Sequence, residues 1–168
     1  MKNLITAVFL VSAAHAGDWP QWLGPERNGV STEIDLHWPK SELKVQWRIP
    51  LGNGFSGISI ASSRVFTMFA TGEEEYAVCV SAQSGEELWR FRTGPYYDEG
   101  QGGDGPRSTP TVDGATVYVL GATGKLFALD AASGKEIWSK DLVAEFASEV
   151  PKWGFSTSPL VEGNLLLL

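Results

Sequence analysis

The segment ALDAASGKEIW, residues 128–138, decides the fold of this 168-residue chain. It has a counterpart in SAQSGEELW at residues 81–89, and the final tryptophans of the two segments, Trp89 and Trp138, stand 49 residues apart. In both copies a short polar loop with a glycine is followed by two charged residues, an aliphatic residue and the tryptophan. This order is typical of a turn followed by a β-strand.

A second pair of segments repeats in step with the first. PTVDG at residues 110–114 returns as PLVEG at residues 159–163, again 49 residues later, and an earlier tryptophan, Trp47, precedes Trp89 by 42 residues. Two independent markers that share one offset predict a structural repeat of about 40 to 50 residues.

Each repeat contains four short stretches with the residue types and turn signals of β-strands. Four antiparallel strands per repeat are the unit of a β-propeller blade, so the sequence predicts an all-β propeller. In the first repeat, the segment GEEE at residues 72–75 is expected to be an acidic hairpin tip in solvent. The predicted strands are 57–60, 64–69, 76–80 and 87–92 in the first repeat, and 109–112, 117–120, 126–129 and 136–140 in the second.

The repeats predict a partial propeller over residues 45–168. Propellers close with about four to eight blades, so we expect the remaining blades to come from C-terminal sequence that this chain lacks. The run of leucines at residues 165–168 would be an apolar strand that a complete protein covers. The predicted units are a closing strand at 45–50, blades at 55–93 and 107–142, and a truncated blade at 156–168.

The N-terminus has the order of a secretory signal peptide, with Lys2, an apolar run and small residues before a cleavage site after Ala16. The apolar run is about a dozen residues, too short to cross a bilayer as a helix, and no membrane span is expected. We therefore expect a secreted or periplasmic mature protein with an N-terminal arm at residues 17–44. In this arm, Trp19 and Trp22 are either an aromatic platform for sugars or, as we favour, pins that hold the arm across the side of the propeller.

The chain is acidic, with 20 Asp and Glu against 13 Lys and Arg and a formal net charge of −7, or −8 once Lys2 is removed. Such a charge argues against nucleic acid and anionic membranes as partners, and we expect a small polar ligand or a protein partner. The only histidine outside the signal peptide, His37, cannot build a Ser-His-Asp triad or a histidine-based metal cluster, and no metal site is assigned. The single cysteine, Cys79, is expected to be a buried strand residue.

Residues 128–138 resemble the tryptophan-docking motif A-x-D-x-x-x-G-K-E-x-W of pyrroloquinoline-quinone (PQQ)-like propellers. Ala128, Asp130, Gly134 and Trp138 fill its positions. The resemblance implies that Gly134 takes the turn before the fourth strand and that Trp138 lies between adjacent blades.

The resemblance implies that the corresponding blade-docking residues of the earlier units are Gly85, Trp89 and Trp47. The first copy departs from the motif, because Cys79 and Ser81 stand where the family has Ala and Asp. The segment DWPQWLGPERNG at residues 18–29 is similar to the leader of uncharacterised secreted bacterial members of the same family.

The family that the chain resembles includes PQQ-dependent dehydrogenases that also bind Ca²⁺, outer-membrane assembly scaffolds, and members without a known cofactor. The docking motif packs blades in all of them and does not report a cofactor. The dehydrogenases carry an adjacent Cys-Cys pair near the cofactor, whereas this chain has one cysteine. The resemblance therefore favours a binding or scaffold module. The alternative is a PQQ-dependent alcohol or sugar dehydrogenase, with PQQ and Ca²⁺ as cofactors and catalytic residues beyond Leu168.

Loops that lead from the outer strand of one blade to the inner strand of the next open on the face where propellers usually bind ligands. Three such loops are present, at residues 52–56, 102–108 and 153–157. Their glycines let the backbone approach closely, while aromatic and cationic side chains offer stacking surfaces and a fixed charge for a planar anion. The candidate ligand-binding residues are Phe55, Asp104, Arg107, Trp153 and Phe155.

Arg107 is the strongest single candidate, as a contact for a ligand carboxylate or a sugar hydroxyl. Its alternative role is a structural hydrogen bond to a neighbouring loop carbonyl. Asp104, with Asp98 and Glu99 in the same loop, could offer oxygen ligands to Ca²⁺, although their spacing does not match an EF-hand. The sequence has no phosphate-binding loop with its lysine and no nucleophile and base pair, so no catalytic residue is assigned.

Overall fold

The computed structural model describes residues 17–33 and 42–168. The predicted signal peptide, residues 1–16, and residues 34–41 of the N-terminal arm, which include His37, lie outside the described residues. In the two described ranges, no helix has the length and apolar composition needed to cross a membrane.

Two four-stranded antiparallel sheets follow one another along the chain, and each has its strands in sequence order. The predicted blade architecture is confirmed, and the predicted strands differ from the observed ones by a few residues at their ends. The first blade consists of β1 (Ser59–Ala61), β2 (Arg64–Thr71), β3 (Glu74–Ser81) and β4 (Glu87–Pro95), and the second of β5 (Thr111–Asp113), β6 (Thr116–Leu120), β7 (Lys125–Asp130) and β8 (Glu136–Asp141).

A helix and a hairpin follow the second blade. The one-and-a-half-turn helix α1 (Leu142–Phe146) begins where the Asp141 carboxylate accepts the Ala144 N–H at 3.0 Å. The hairpin pairs β9 (Leu160–Glu162) with β10 (Leu165–Leu167) through the turn at Gly163. The helix is a small departure from the predicted all-β chain.

The prediction of a solvated acidic tip is wrong for Glu75. The hairpin turn between β2 and β3 is only Gly72 and Glu73, because Thr71 already pairs with Glu74. Glu75 is therefore a strand residue, and its side chain is fully buried.

The two blades pack face to face around one apolar core. Phe66, Cys79 and Trp89 of the first blade meet Val117 and Leu129 of the second, and all five are buried. Each such side chain contributes about 1.5 to 3 kcal/mol when it is fully removed from water. Burial also raises the pKa of the Cys79 thiol to about 11, so this cysteine is an inert packing residue.

The repeated tryptophans join each unit to the next one. A Cβ on Gly85 would lie 2.7 Å from the Trp47 ring, and a Cβ on Gly134 would lie 2.6 Å from the Trp89 ring. The Trp47 indole N–H donates to the Ala82 carbonyl at 3.0 Å, and the Trp89 indole N–H donates to the Ala131 carbonyl at 3.1 Å. Each ring therefore lies on the turn before the fourth strand of the following blade.

Trp138, the third tryptophan of this series, is 36% exposed, and its ring centre lies 6.0 Å from that of Tyr118 on the neighbouring part of its own blade. Ala128 is the strand partner of Trp138 and is fully buried. The Asp130 carboxylate accepts the Ser133 N–H at 2.7 Å and the Ser133 hydroxyl at 2.6 Å. These bonds, with the Ser133 hydroxyl first in effect, lower the pKa of Asp130 and hold the turn that presents Gly134.

The first strands of the successive units, β1, β5 and β9, adjoin one another and define the inner edge of the propeller. The N-terminal arm runs along this inner edge and not across the side, which corrects the predicted path. Trp19 exchanges two main-chain hydrogen bonds with Ile60 of β1, at 2.7 and 2.8 Å, and the Pro20 carbonyl accepts the Val112 N–H of β5 at 2.8 Å. Arg27 completes the path by donating to the Val161 carbonyl of β9 at 2.5 Å.

Candidate ligand-binding site

A cavity of about 600 Å³ lies between the N-terminal arm and the loops that enter the inner strands. We call it the axial cavity. Its wall combines two arginines, two aromatic rings and a row of hydroxyl groups, and no acidic residue is among its described lining residues. The cavity is lined by Gln21, Trp22, Leu23, Arg27, Phe55, Arg107, Thr109, Ser156, Thr157, Ser158, Pro159 and Leu160.

Arg107 is held in the wall of this cavity by its own loop. Its guanidinium donates to the Gly105 carbonyl at 2.7 Å and to the Gly103 carbonyl at 2.5 Å. Arg107 therefore makes structural hydrogen bonds to loop carbonyls, the role that is the alternative to ligand binding. A guanidinium has five N–H donors, and these two bonds use one on each terminal nitrogen. The fixed side chain therefore keeps three N–H groups for a ligand.

Two rings and one carboxylate surround the Arg107 guanidinium. Its central carbon lies 5.6 Å from the ring centres of both Phe55 and Tyr97, within cation–π range. The carboxylate of Glu99 lies 4.0 Å away, and both side chains are largely buried, at 11% and 2% exposure. Arg107 is thus oriented before any ligand arrives.

Phe55 stands beside Arg107 at the entrance of the axial cavity. Its main-chain N–H donates to the Pro106 carbonyl at 2.8 Å, which joins its loop to the next one. Its ring lies over Gly103, where a Cβ would stand 2.6 Å from the ring in a backbone with φ of +92°. Although packed against Gly103 and Arg107, Phe55 is 58% exposed, so much of its ring surface is accessible to a ligand.

The hydroxyl row repeats from blade to blade along the inner edge. The Thr109 hydroxyl accepts the Gly57 N–H at 3.1 Å, and the Ser158 hydroxyl accepts the Thr109 N–H at 3.0 Å. Ser156 and Thr157 are exposed and face the cavity beside them. A ligand in the cavity meets an ordered set of donors and acceptors.

Trp153 and Phe155 do not line the axial cavity. The Phe155 ring packs with Leu120, Leu126 and Leu142, and its N–H donates to the Ala122 carbonyl at 2.9 Å. Trp153 is 45% exposed and carries the Lys152 ammonium 4.7 Å from its ring centre. The structure therefore brings Phe55 and Arg107 together and places the other two candidate aromatic residues elsewhere.

The acidic side chains of the loop before β5 have separate partners. The Tyr96 hydroxyl donates to Asp104 at 2.7 Å, and this bond is the main cause that raises the pKa of Tyr96. Asp98 accepts the Gly100 N–H at 2.9 Å, while Glu99 accepts the Gln101 N–H at 3.0 Å. In residues 17–33 and 42–168, no three His, Cys, Asp or Glu side chains are grouped closely enough to hold a metal ion.

Glu75 is a buried polar residue near the site that sequence reasoning missed. Its carboxylate accepts the Ala122 N–H of the second blade at 3.0 Å, and its other oxygen has no partner among the described protein groups. Burial raises the pKa of Glu75, against the lowering effects of Ala122 and Arg107. The strand alternation carried the signal, because Glu75 shares a face with Ala77 and Cys79, which belong to the inter-blade core.

Three comparisons place these features among known proteins. A PQQ-like family model described as "Outer membrane protein assembly factor BamB" matches residues 73–168. The quinate/shikimate dehydrogenase (quinone) of Acinetobacter baylyi is 34% identical over 88 residues, which cover 48% of this chain and 10% of that protein. The quinoprotein glucose dehydrogenase of Escherichia coli is 46% identical over 57 residues, which cover 33% of this chain and 7% of that protein.

The chain thus spans a tenth or less of the length of these two curated relatives. Among solved structures, BamB from Moraxella catarrhalis superimposes with a TM-score of 0.51 at 19% identity, over 72% of this chain and 32% of that one. At this identity the similarity shows the propeller fold alone.

Proposed function

Since this chain belongs to the PQQ-like repeat β-propeller family, we propose that it is a secreted binding module that holds a small polar ligand in the axial cavity. One observation carries the proposal: the cavity wall contains Arg27 and Arg107 and no acidic residue among its described members, in a chain of net charge −7. Each arginine has a carboxylate nearby, Glu162 at 2.6 Å from Arg27 and Glu99 at 4.0 Å from Arg107, but neither glutamate is among the lining residues. The wall therefore offers cationic donors, which favour an anionic or strongly hydroxylated ligand. Export through the N-terminal signal, with cleavage after Ala16, is part of the proposal.

A protein partner at the same face is the second form of this proposal. The description of the matching family model as an outer-membrane assembly factor supports it. The small ligand is favoured because the cavity is concave and its volume of about 600 Å³ falls in the range of small-molecule sites, about 300 to 1,000 Å³.

A PQQ-dependent dehydrogenase is the alternative function. Local identity to two proteins named as quinone-dependent dehydrogenases favours it. This alternative would place PQQ with Ca²⁺ in the protein, and no three His, Cys, Asp or Glu side chains of the described residues are grouped closely enough to hold a metal ion. We therefore derive no chemical step through the cofactor.

Calorimetric titration of the full chain with quinate and with glucose tests the proposal. Quinate is a hydroxylated ring carboxylate and glucose is a hydroxylated but uncharged ring, so the pair separates charge from hydroxyl recognition. We expect quinate to bind and glucose to bind more weakly. Arg107→Lys should weaken quinate binding by about tenfold, since an ammonium cannot reproduce the forked donor geometry.

Phe55→Ala is the companion variant, because it removes the exposed stacking face and leaves the Arg107 bonds to its loop in place. Lys125→Gln, which removes an exposed cation remote from the cavity, is the matched control and should bind like the wild type. Unchanged quinate binding in both Arg107→Lys and Phe55→Ala would rule out this cavity as the site.

A further inference from the structure

We propose that the N-terminal arm supplies one wall of the ligand site, with Arg27 as a second cation that selects a carboxylate-bearing ligand together with Arg107. This inference rests on the proposed function of the axial cavity and names the class of ligand that it takes. It assigns a specificity role to a segment that precedes the first blade.

The arm forms one wall of the axial cavity. Trp22, Leu23 and Arg27 line it from the arm, and Phe55 and Arg107 line it from the blade loops. Trp22 and Leu23 remain 58% and 42% exposed, so their apolar surface faces the open volume and not the core. The indole of Trp22 and the phenyl ring of Phe55 therefore both offer apolar surface to a ligand in the cavity.

Hydrogen bonds to the inner strands hold the arm in this position; those at its start join main-chain groups, and the one at its end comes from the Arg27 side chain. The segment from Trp19 to Arg27 is fixed at its start by Ile60 and Val112 and at its end by the Val161 carbonyl. Contacts to three successive units leave the arm little freedom to move away from the cavity. Its side chains are therefore preorganised for binding.

Backbone strain coincides with the residues that line the cavity. Leu23 has φ of +64° and Arg27 has φ of +55°, a left-handed conformation that L-residues other than glycine rarely adopt. Such a conformation costs about 1 to 2 kcal/mol per residue, and non-glycine residues keep it where the surroundings impose it, often at binding sites. The side chains of both residues form part of the axial cavity wall.

Arg27 is charged and only partly neutralised. It pairs with Glu162 at 2.6 Å, but its side chain is 37% exposed and that of Glu162 is 63% exposed, so solvent screens the pair. The guanidinium uses one donor for Glu162 and one for the Val161 carbonyl, which leaves three of its five N–H groups. Those donors are the ones available to a ligand carboxylate.

Calorimetric titration of Arg27→Gln with quinate and glucose tests the inference. We expect the dissociation constant for quinate to rise about tenfold, the effect of losing one charge-assisted hydrogen bond. Glucose binding should stay unchanged, because the main-chain bonds of Trp19 and Pro20 still hold the arm when the Arg27 bond to Val161 is lost. Glu162→Gln breaks the same ion pair but keeps the cation, so it should bind quinate at least as tightly as the wild type. Arg92→Gln, which removes an exposed arginine that also pairs with a glutamate, is the matched control.

The outcomes separate this inference from the proposed function. Weak quinate binding in Arg107→Lys with normal binding in Arg27→Gln would overturn the role of the arm and leave the cavity function in place. Equal weakening in Arg27→Gln and Glu162→Gln would also overturn it, because the ion pair would then matter only for structure. Failure of quinate to bind the wild-type chain would overturn both.

Discussion

Glu75 is a buried acidic residue whose hydrogen bonds are incomplete. Its carboxyl group lies fully buried between β3 and the turn after β6, with one hydrogen bond to Ala122 and a second oxygen that has no described protein partner. A buried polar group without a partner costs about 1 to 3 kcal/mol, so the second oxygen of Glu75 lowers the stability of the fold. Burial is the largest cause of its raised pKa, and the N–H of Ala122, the Arg107 charge and the main chain at Tyr97 oppose it.

Glu75→Gln should make the protein less sensitive to pH. The folded state holds the Glu75 proton more tightly than the unfolded state, whose carboxyl group has its ordinary value of 4.5. Stability is therefore lost as the pH rises above that value and through the raised folded pKa. Melting curves at about pH 4 and about pH 8 should show the variant gaining on the wild type at the higher pH.

The neighbouring Glu73→Gln is the control, because the Glu73 side chain is exposed at the hairpin turn. It should shift stability equally at both pH values. If Glu75→Gln behaves in the same way as this control, Glu75 is ionised in the folded protein and the buried carboxyl group is not the source of pH dependence.

At the scale of the element, the turn before each fourth strand is the site of blade docking. The ring of a tryptophan from the preceding unit covers the glycine of this turn, and its indole N–H bonds to the carbonyl three residues earlier. Gly134 has φ of +70°, and Gly114, in the turn between β5 and β6, has φ of +56° with no atom near its Cβ position. These two glycines separate the effect of backbone conformation from that of ring contact.

Gly134→Ala should therefore cost more stability than Gly114→Ala. We expect Gly114→Ala to lower the free energy of unfolding by about 1 kcal/mol, the cost of a left-handed alanine. Gly134→Ala adds the displacement of the Trp89 ring, so its loss should reach about 2 to 4 kcal/mol. Urea unfolding of the two variants measures the difference, and equal losses would show that the ring does not hold the turn.

At the scale of the whole molecule, the N-terminal arm connects units that are distant in sequence. It reaches β1, β5 and β9 in turn, and most of these contacts are made by main-chain groups. The inner strands have only three residues each. The arm supplies hydrogen-bond partners to their free edges.

Removal of residues 17–29 should expose the amides of Ile60 and Val112. Both donate to carbonyls of the arm, whereas the Ala131 N–H donates to the Ala115 carbonyl within the second blade. Hydrogen exchange should accelerate at least about tenfold at the first two amides and remain unchanged at Ala131. Retained protection at Ile60 would contradict the described path, and a uniform loss of protection would show that the blade itself depends on the arm.

The sequence predicts the blades well because their signals are local. The repeat offset and the turn residues locate eight strands to within a few residues. Of the five candidate ligand-binding residues, the structure brings Phe55 and Arg107 side by side, and their role in binding stays a prediction. The acidic run at residues 72–75 does not show whether the hairpin turn has two residues or four. The sequence therefore predicts a solvated Glu75, whereas the structure has a buried strand residue there. The path of the arm depends on main-chain pairing with distant strands, which leaves no residue pattern, and so Arg27 was not recognised.

The packing of a tryptophan of one unit on the turn of the next affects how the number of units can change in evolution. Trp47 on Ala82 and Gly85 and Trp89 on Ala131 and Gly134 use the same two groups at the same spacing. The first blade carries both parts, because its turn at Ala82 and Gly85 receives the ring of the preceding unit and its Trp89 ring packs on the turn of the next. Duplication or exchange of a single unit in the DNA would therefore create junctions that already match, and the number of units could change without a new interface having to evolve.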